Sequence, residues 1–378
     1  MQCRRIRLRD FRNVEEAEVH FSPGVNLLHG DNAQGKTNLL EALYYTALGK
    51  TFRTGHDEEL IRFGAESAMI ENCFSPAETV GQAGQADSTL LFRLLRGRGG
   101  RAVDRNGVRV RSMSEVVGGF RVVLFCPAHL SVVQGSPEDR RDFLNVAISQ
   151  LRPVYVRALK RFNRALRERN ALLRQAQDAG GRLDPTAEQW SAQLASACAE
   201  IAAKRAGYIL RLDSLMRDCF ADMTGNREIP GVGYTNSLGL PAQEMLSPED
   251  TAPAYFRLLT ERTAREIGAG STLYGVHRDD LALTLNDRPA RLYASQGQQR
   301  SIALAMKLAE GTVSGQETGG DLPVFLFDDV LSELGRRSYL LRELSGRQVI
   351  MTCCEDISSS FSPDSFRSIR VENGKYFE

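Results

Sequence analysis

The chain has 378 residues, 42% of them hydrophobic and 25% charged, with 48 lysines and arginines against 47 acids. This composition excludes wholesale disorder and a fibrous repeat, and a net charge of +1 excludes a polycation, so any nucleic-acid surface has to be a local patch. No apolar run approaches the roughly 18 to 20 residues that span a bilayer, and the N-terminal ten residues lack the apolar core of a signal peptide.

The seven cysteines (Cys3, Cys73, Cys126, Cys198, Cys219, Cys353 and Cys354) are odd in number, and none stands in a Cys-x-x-Cys spacing. Neither a disulfide framework nor a zinc site is indicated, and a reducing, cytoplasmic setting fits best.

In chain order, residues 3–8 and 16–21 alternate apolar with polar and predict strands, and residues 25–28 form a short apolar run just before Gly30. From Lys36 the period becomes helical, with Leu39, Leu40, Leu43, Tyr44, Ala47 and Leu48 on one spacing. A Gly- and Gln-rich surface loop follows at 77–87. Residues 89–95, 108–111 and 122–125 predict strands, and Asn106-Gly107 between extended runs is a hairpin signal.

Residues 140–175 read as one basic helix, broken by Gly180-Gly181 and Asp184-Pro185. Thr186 then opens a second long helix, with Gln189 three residues on as in a capping box. That helix carries Trp190, Leu194, Ala197, Ile201, Ile209, Leu212, Met216 and Phe220 on one side. A third helix starts at Ser247-Pro248-Glu249-Asp250 and runs to about Ile267. Strands return at 281–285, 324–327 and 348–351, with helices over 298–310 and 332–344 between them. The order is β/α, a helical insertion, then β/α.

Three motifs carry chemistry. Gly30-Asp31-Asn32-Ala33-Gln34-Gly35-Lys36-Thr37, extended to Asn38, is a phosphate-binding loop between a strand and a helix. Its backbone amides suit phosphate oxygens, Lys36 neutralises phosphate charge, and the Thr37 hydroxyl is a Mg²⁺ ligand. Val324-Phe325-Leu326-Phe327-Asp328-Asp329 is a doubly covered strand that ends in two acids. Asp328 fits the metal through water, and Asp329 fits orientation or deprotonation of an attacking water. Ser295-Gln296-Gly297-Gln298-Gln299 opens a helix, where free amides and the helix dipole favour an anion.

Taken together, the order of these motifs resembles the ABC-type ATPase heads of the SMC group. Further segments are similar to one family within it, the RecF family of bacterial recombination proteins. They are Phe11-Arg12-Asn13, residues 31–43, Gly49-Lys50-Thr51-Phe52-Arg53, residues 135–144, Gly275-Val276-His277-Arg278-Asp279-Asp280 and residues 304–310. The similarity runs from about residue 5 to about residue 356.

The resemblance implies an α/β fold: an ABC-type ATPase head with a P-loop mixed sheet, helices and an antiparallel β subdomain, and an inserted helical arm. On that reading residues 1–148 and 272–378 form the head and residues 149–271 the arm. It also implies two chains sandwiching two ATP·Mg²⁺, with Lys36 and Thr37 of one copy facing Ser295, Gly297 and Gln298 of the other. Arg53 matches an arginine near nucleotide and DNA, Arg12 is a weaker phosphate candidate, and His277 and Asp279 are structural or site-supporting. Implied partners are DNA, double-stranded and gapped or junction, without sequence specificity, together with RecO, RecR and, indirectly, RecA. Hydrolysis is expected to be slow, because Asp329 is shorter than the glutamate many ABC enzymes carry.

The chain departs from the family pattern in three places. Gly335 stands where an aspartate is usual, Ala128-His129 replaces Glu-Asp, and Thr352-Cys353-Cys354 replaces a threonine-rich segment.

Between residues 151 and 174 stand eight basic residues (Arg152, Arg157, Lys160, Arg161, Arg164, Arg167, Arg169 and Arg174) and one acid, Glu168, a local net charge of 8 − 1 = +7. Leu151, Tyr155, Ala158, Leu159, Phe162, Leu166 and Leu173 take the opposite helical face. Such a stripe suits phosphate contacts without base readout, with Arg157, Lys160, Arg161, Arg164 and Arg167 as its core. Two other readings are a structural SMC-like DNA clamp with incidental hydrolysis and the nucleotide-binding subunit of a membrane transporter.

Overall fold

The computed structural model describes residues 1–53, 55–76, 87–97, 100–329, 344–355 and 366–377. The helix expected over 332–344, with Gly335, and the loop expected over 77–87 lie outside these residues, apart from 344 and 87.

The strands and helices follow in order. β1 (Gln2–Phe11), β2 (Val14–His20) and β3 (Val25–His29) lead into α1 (Lys36–Leu48). Next come β4 (Ser67–Ser75), β5 (Ser88–Leu95), β6 (Gly100–Arg105), β7 (Val108–Arg109) and β8 (Val122–Phe125). The helical stretch holds α2 (Ser131–Gln134), α3 (Pro137–Leu151), α4 (Pro153–Asp178) and α5 (Thr186–Thr224). After β9 (Pro230–Thr235) come α6 (Pro248–Glu261), α7 (Thr263–Ala269), β10 (Asp280–Leu285), β11 (Arg288–Pro289), α8 (Ala290–Tyr293) and α9 (Gln296–Glu317). β12 (Val324–Phe327), β13 (Val349–Cys353), β14 (Phe366–Glu372) and β15 (Lys375–Phe377) complete the described set.

These elements form two compact units: Met1–His129 with Glu310–Glu378, and Leu130–Ala309. The first holds two six-stranded sheets. One is antiparallel in the order β2-β1-β4-β5-β6-β7; the other, in the order β15-β14-β3-β13-β12-β8, is parallel except where β15 joins β14. α1 packs against strands of both. That position buries it nearly all round, including Glu41, Tyr45 and Thr46 as well as the predicted apolar stripe.

The antiparallel sheet carries cross-strand ion pairs. Arg5 and Arg7 pair with Glu18 and Glu71, and Arg93 and Arg109 pair with Asp104. Exposed pairs of this kind contribute little stability. In the parallel sheet, buried Gln348 ties β1 in place. It accepts from Cys3 N at 2.6 Å and donates to Cys3 O and Ser22 O, each at 2.8 Å.

The second unit is built on α5, whose 39 residues span about 58 Å at the α-helical rise. α4, α6 and β9 pack along it. Its start differs from the expected capping box: Thr186 donates both its amide and its hydroxyl to Asp184 Oδ1, at 2.8 and 2.6 Å. An aspartate two residues earlier thus takes the orphan donors that Gln189 was expected to help satisfy.

Two expected helices are broken. The basic helix ends at Leu151, because Pro153 forces Arg152 into an extended conformation (φ −135°, ψ 93°). The helix from Ser247 ends at Glu261, and α7 restarts at Thr263. The segment boundaries expected after residues 148 and 271 fall inside this unit, since α3 packs against β10 and Arg140 pairs with Asp280 at 2.6 Å. β9 was not predicted; it joins β10 and β11 in a third, antiparallel sheet.

A buried polar network locks this unit. Arg205, on α5, donates to Asp279 Oδ2 (3.1 Å), Val276 O (2.6 Å), Tyr155 OH (3.1 Å) and Asn145 Oδ1 (3.2 Å). Tyr234 also donates to Asp279. Arg169, counted in the basic stripe from sequence, is not on the surface. It is 1% exposed, pairs with buried Glu266 at 2.6 Å, and donates to Ser191 and Thr272.

His277 sits beside this network, its Nε2 3.1 Å from Thr272 O. Burial, with the nearby cations Arg278, Arg141 and Arg205, lowers its pKa to about 4, against the bond to Thr272. The unfolded chain therefore binds the extra proton first as pH falls below the ordinary value of 6.5. Stability is full above about 6.5 and falls as pH drops toward 4, with His277 contributing a loss of about 3 kcal/mol over that window. Unfolding followed by the fluorescence of Trp190, the single tryptophan, should show this slope, and His277→Gln should flatten it. Equal pH dependence in the two proteins would refute the assignment.

Among the described residues no helix is long and apolar enough to cross a membrane, and all seven cysteines are free thiols.

Candidate nucleotide site

In a parallel sheet, ligands collect at the carboxyl ends of the strands. Here three of those ends meet. β3 runs into the loop at 30–35, β13 ends at Thr352 and Cys353, and β12, flanked by β13 and β8, ends at Asp328. The Asp328 amide continues the ladder to Phe125 O at 2.9 Å, which fixes where its carboxylate emerges. Together these ends border a cavity of about 360 Å³ lined by residues 32–38, Asn13, Arg53, Asp328, Asp329, Thr352 and Cys354.

The loop has the backbone its sequence requires. Gly30 (φ 145°) and Gly35 (φ 112°) occupy conformations that side chains avoid, and Ala33 is left-handed at φ 65°. Lys36 folds back over the loop, its Nζ donating to Gly30 O (2.5 Å) and Asp31 O (2.7 Å). The ammonium is therefore held against the loop, and Lys36 lines the cavity.

Asp328 is the centre of the opposite wall. Thr37 Oγ1 donates to its Oδ1 at 2.8 Å and Thr352 Oγ1 to the same oxygen at 3.0 Å; Thr352 in turn accepts the Asp329 amide at 2.8 Å. Burial raises the Asp328 pKa, neighbouring Asp329 adds to this, and the two hydroxyl bonds and Arg53 oppose it. A half-buried carboxylate beside a threonine hydroxyl is an all-oxygen set that suits a hard divalent cation. Thr37 and Asp328 therefore fit Mg²⁺, which when bound would supply charge neutralisation at the phosphates. Asp329 is exposed at the rim and left-handed (φ 50°), a conformation that costs energy outside glycine.

Glu41, fully buried on α1, organises the arginines. Arg12 grips it with two bonds of 2.8 Å, and Thr51 donates to it at 2.5 Å. Arg53 Nη1 stands 3.6 Å from the same carboxylate and donates to Asn38 Oδ1 at 2.8 Å. Arg53 lines the cavity, whereas Arg12 does not.

Local pattern gave no signal for Thr352 as an Asp328 partner, because sheet register alone brings them together. Asn13, which accepts from Asn38 Nδ2 at 2.7 Å, was visible only as part of a matching segment. The Cys354 thiol donates to Asn32 Oδ1 at 3.0 Å, so this departure from the family pattern lies at the cavity wall.

Ser295, Gly297 and Gln298 belong to the second unit. The Ser295 amide donates to Gln298 Oε1 at 2.6 Å and the Gln298 amide to Ser295 Oγ at 3.3 Å, a reciprocal cap that opens α9. Gln298 also donates to Glu228, and buried Gln299 reaches the carbonyls of Ala290, Arg291 and Ala294. Ser295 and Gly297 stay exposed. Along α4, in the same unit, Arg157, Lys160, Arg161, Arg164 and Arg167 are all exposed. Arg161 pairs with Glu200 at 2.5 Å, and Arg164 lies 5.7 Å from the Trp190 ring centroid.

A phosphate loop and a strand-end carboxylate on a parallel sheet, joined to an antiparallel sheet, define an ABC-type ATPase head. The sequence matches the RecF/RecN/SMC N-terminal domain over residues 2–374. It is 37% identical to the DNA replication and repair protein RecF of Halalkalibacterium halodurans, covering 92% of this chain and 91% of that one. With the RecF of an Exiguobacterium species it shares 37% identity over 100% and 97% of the two chains. A solved structure described as the recombination mediator protein RecF with ATP, in the RecFOR pathway, superposes with a TM-score of 0.89 at 30% identity, covering 99% and 96%. The Smc head domain from Pyrococcus furiosus shares the fold, with a TM-score of 0.54 at 16% identity. The chain belongs to the RecF family of DNA replication and repair proteins.

Proposed function

We propose that this chain is an ATP-dependent DNA-binding protein of recombinational repair, in which ATP closes two copies on one another. The observation that carries this is the convergence of the loop, Thr37 and Asp328 on one cavity. Loop amides and Lys36 bind the triphosphate, Thr37 and Asp328 hold Mg²⁺, and Asp329 orients the attacking water. The exposed Ser295 and Gly297 of a second copy, at the start of a capped helix, supply the anion contacts that complete the site. Slow hydrolysis then separates the copies. The RecF structure with ATP supports nucleotide binding, and its RecFOR setting supports action in recombinational repair. In this proposal the chain acts with RecO and RecR to promote RecA assembly at single-strand gaps.

DNA binds through the exposed basic side chains of α4, without base readout. Binding to duplex and gapped DNA should be tighter with ATP than with ADP. It should weaken steeply with salt, each phosphate contact adding about 0.9 to the log–log slope. Changing Arg157, Lys160, Arg161, Arg164 and Arg167 to glutamine should cut affinity at least ~10-fold and shallow that slope. A flat salt response in the wild type would exclude the basic face as the DNA surface.

A further inference from the structure

The back of the phosphate loop is built by the last residues of the described chain. β14 runs parallel to β3 and turns at Asn373-Gly374 into β15. From this hairpin the Asn373 amide donates to Gln34 Oε1 at 2.6 Å, the Gly374 amide to Gln34 O at 2.8 Å, and the Tyr376 hydroxyl to Gly35 O at 3.1 Å. The approach is close: a Cβ on Gly30 would lie 2.3 Å from Val371 O, and one on Gly374 2.7 Å from Asn13 O.

Peptide geometry makes these bonds consequential. Within a trans peptide the C=O and the following N–H point in opposite directions. Gln34 O also accepts from Asn13 Nδ2 at 3.3 Å and Gly35 O from the Asn38 amide at 3.1 Å; with the hairpin bonds these hold both carbonyls outward and turn the Gly35 and Lys36 amides the other way, and both residues line the cavity. We propose that the Asn373-Gly374 turn and Tyr376 are positioning elements for the nucleotide phosphates: they set the loop amides before ligand arrives. This rests on the ATP-binding reading above. Pre-organisation of this kind lowers the cost of binding.

The molecule contains its own control. Asn106-Gly107, between β6 and β7, repeats the same turn, with φ of 51° and 78° against 49° and 74° at Asn373-Gly374. Beyond Gly107 and its two chain neighbours, no described atom lies within 4 Å of a Cβ built on Gly107. Gly107→Ala and Gly374→Ala thus carry the same backbone strain, and only the second meets other chain: the backbone of Asn13, whose Nδ2 donates to Gln34 O at 3.3 Å.

The test is titration of each full-length variant with a fluorescent ATP analogue, with ATPase KM and kcat measured well below the unfolding temperature. Gly374→Ala and Tyr376→Phe are expected to weaken nucleotide binding at least ~5-fold, raising KM more than they lower kcat, while Gly107→Ala matches the wild type. Equal affinity in the Gly374→Ala and Gly107→Ala proteins would overturn the proposal. If Gly374→Ala does not fold, Tyr376→Phe, which removes one oxygen, decides alone: an unchanged Kd overturns the proposal. A wild type that binds no ATP defeats the nucleotide reading itself and this proposal with it.

Discussion

Lys36→Met is expected to abolish ATP-dependent assembly while leaving the head folded. Among the described residues the lysine bonds to carbonyls of its own loop, Gly30 O and Asp31 O, so its loss breaks no bond to a distant element of that set. Its removal costs the phosphates charge-assisted bonds of about 1.5–3 kcal/mol each, and two such bonds correspond to roughly a 100-fold or greater loss of affinity. Sedimentation should show the wild type shifting from one chain to two with ATP but not with ADP, more readily on gapped DNA, and the variant staying a single chain throughout. A wild type that remains a monomer in every condition defeats the two-copy mechanism. Equal ATP-driven assembly by the variant would show that the loop is not the switch.

The second large effect is on stability. Arg205→Met removes the cation that faces Asp279 in the core of the second unit, leaving a buried carboxylate without its counter-charge. Breaking one partner of a buried pair typically costs about 3–5 kcal/mol. Burial already raises the Asp279 pKa against the pull of Arg205, so proton uptake absorbs part of the loss in the variant. The double change Arg205→Met with Asp279→Leu should recover much of the stability, because an apolar pair of similar volume needs no compensation. Trp190 fluorescence in denaturant measures this. A midpoint shared by the wild type and Arg205→Met would mean that the network is incidental.

The difference between these two sites explains what was legible in the sequence. The phosphate loop is contiguous, and its chemistry is local: glycines for the backbone, Lys36 and Thr37 at the helix start. Asp328 was legible because four large apolar residues before it predict a central strand. Thr352 depends on strand register, so nothing near it in the sequence shows its bond to Asp328. The network around Arg205 joins residues from 145 to 279. Arg169 illustrates the limit of counting charges. It falls on the 155, 158, 162, 165, 169, 173 spacing of the buried face of α4, but its partner Glu266 is 97 positions away. β9 escaped because Pro230-Gly231-Val232-Gly233 lacks alternation, and its pairing with β10 makes the strand. The long basic helix was overextended because one proline outweighed the helical period on either side.

The hairpin behind the phosphate loop also bears on the order in which the protein can be made. A ribosome delivers the loop at residues 30–37, but its neighbouring strand β13 begins only at Val349 and its hairpin bracket at Phe366. The second unit is one uninterrupted stretch, residues 130–309, and can mature on emergence. The nascent head must keep β3 and α1 waiting through more than 300 residues of synthesis, a long interval for an apolar strand with no partner. Nucleotide competence thus waits until β14 has emerged and closed beside β3.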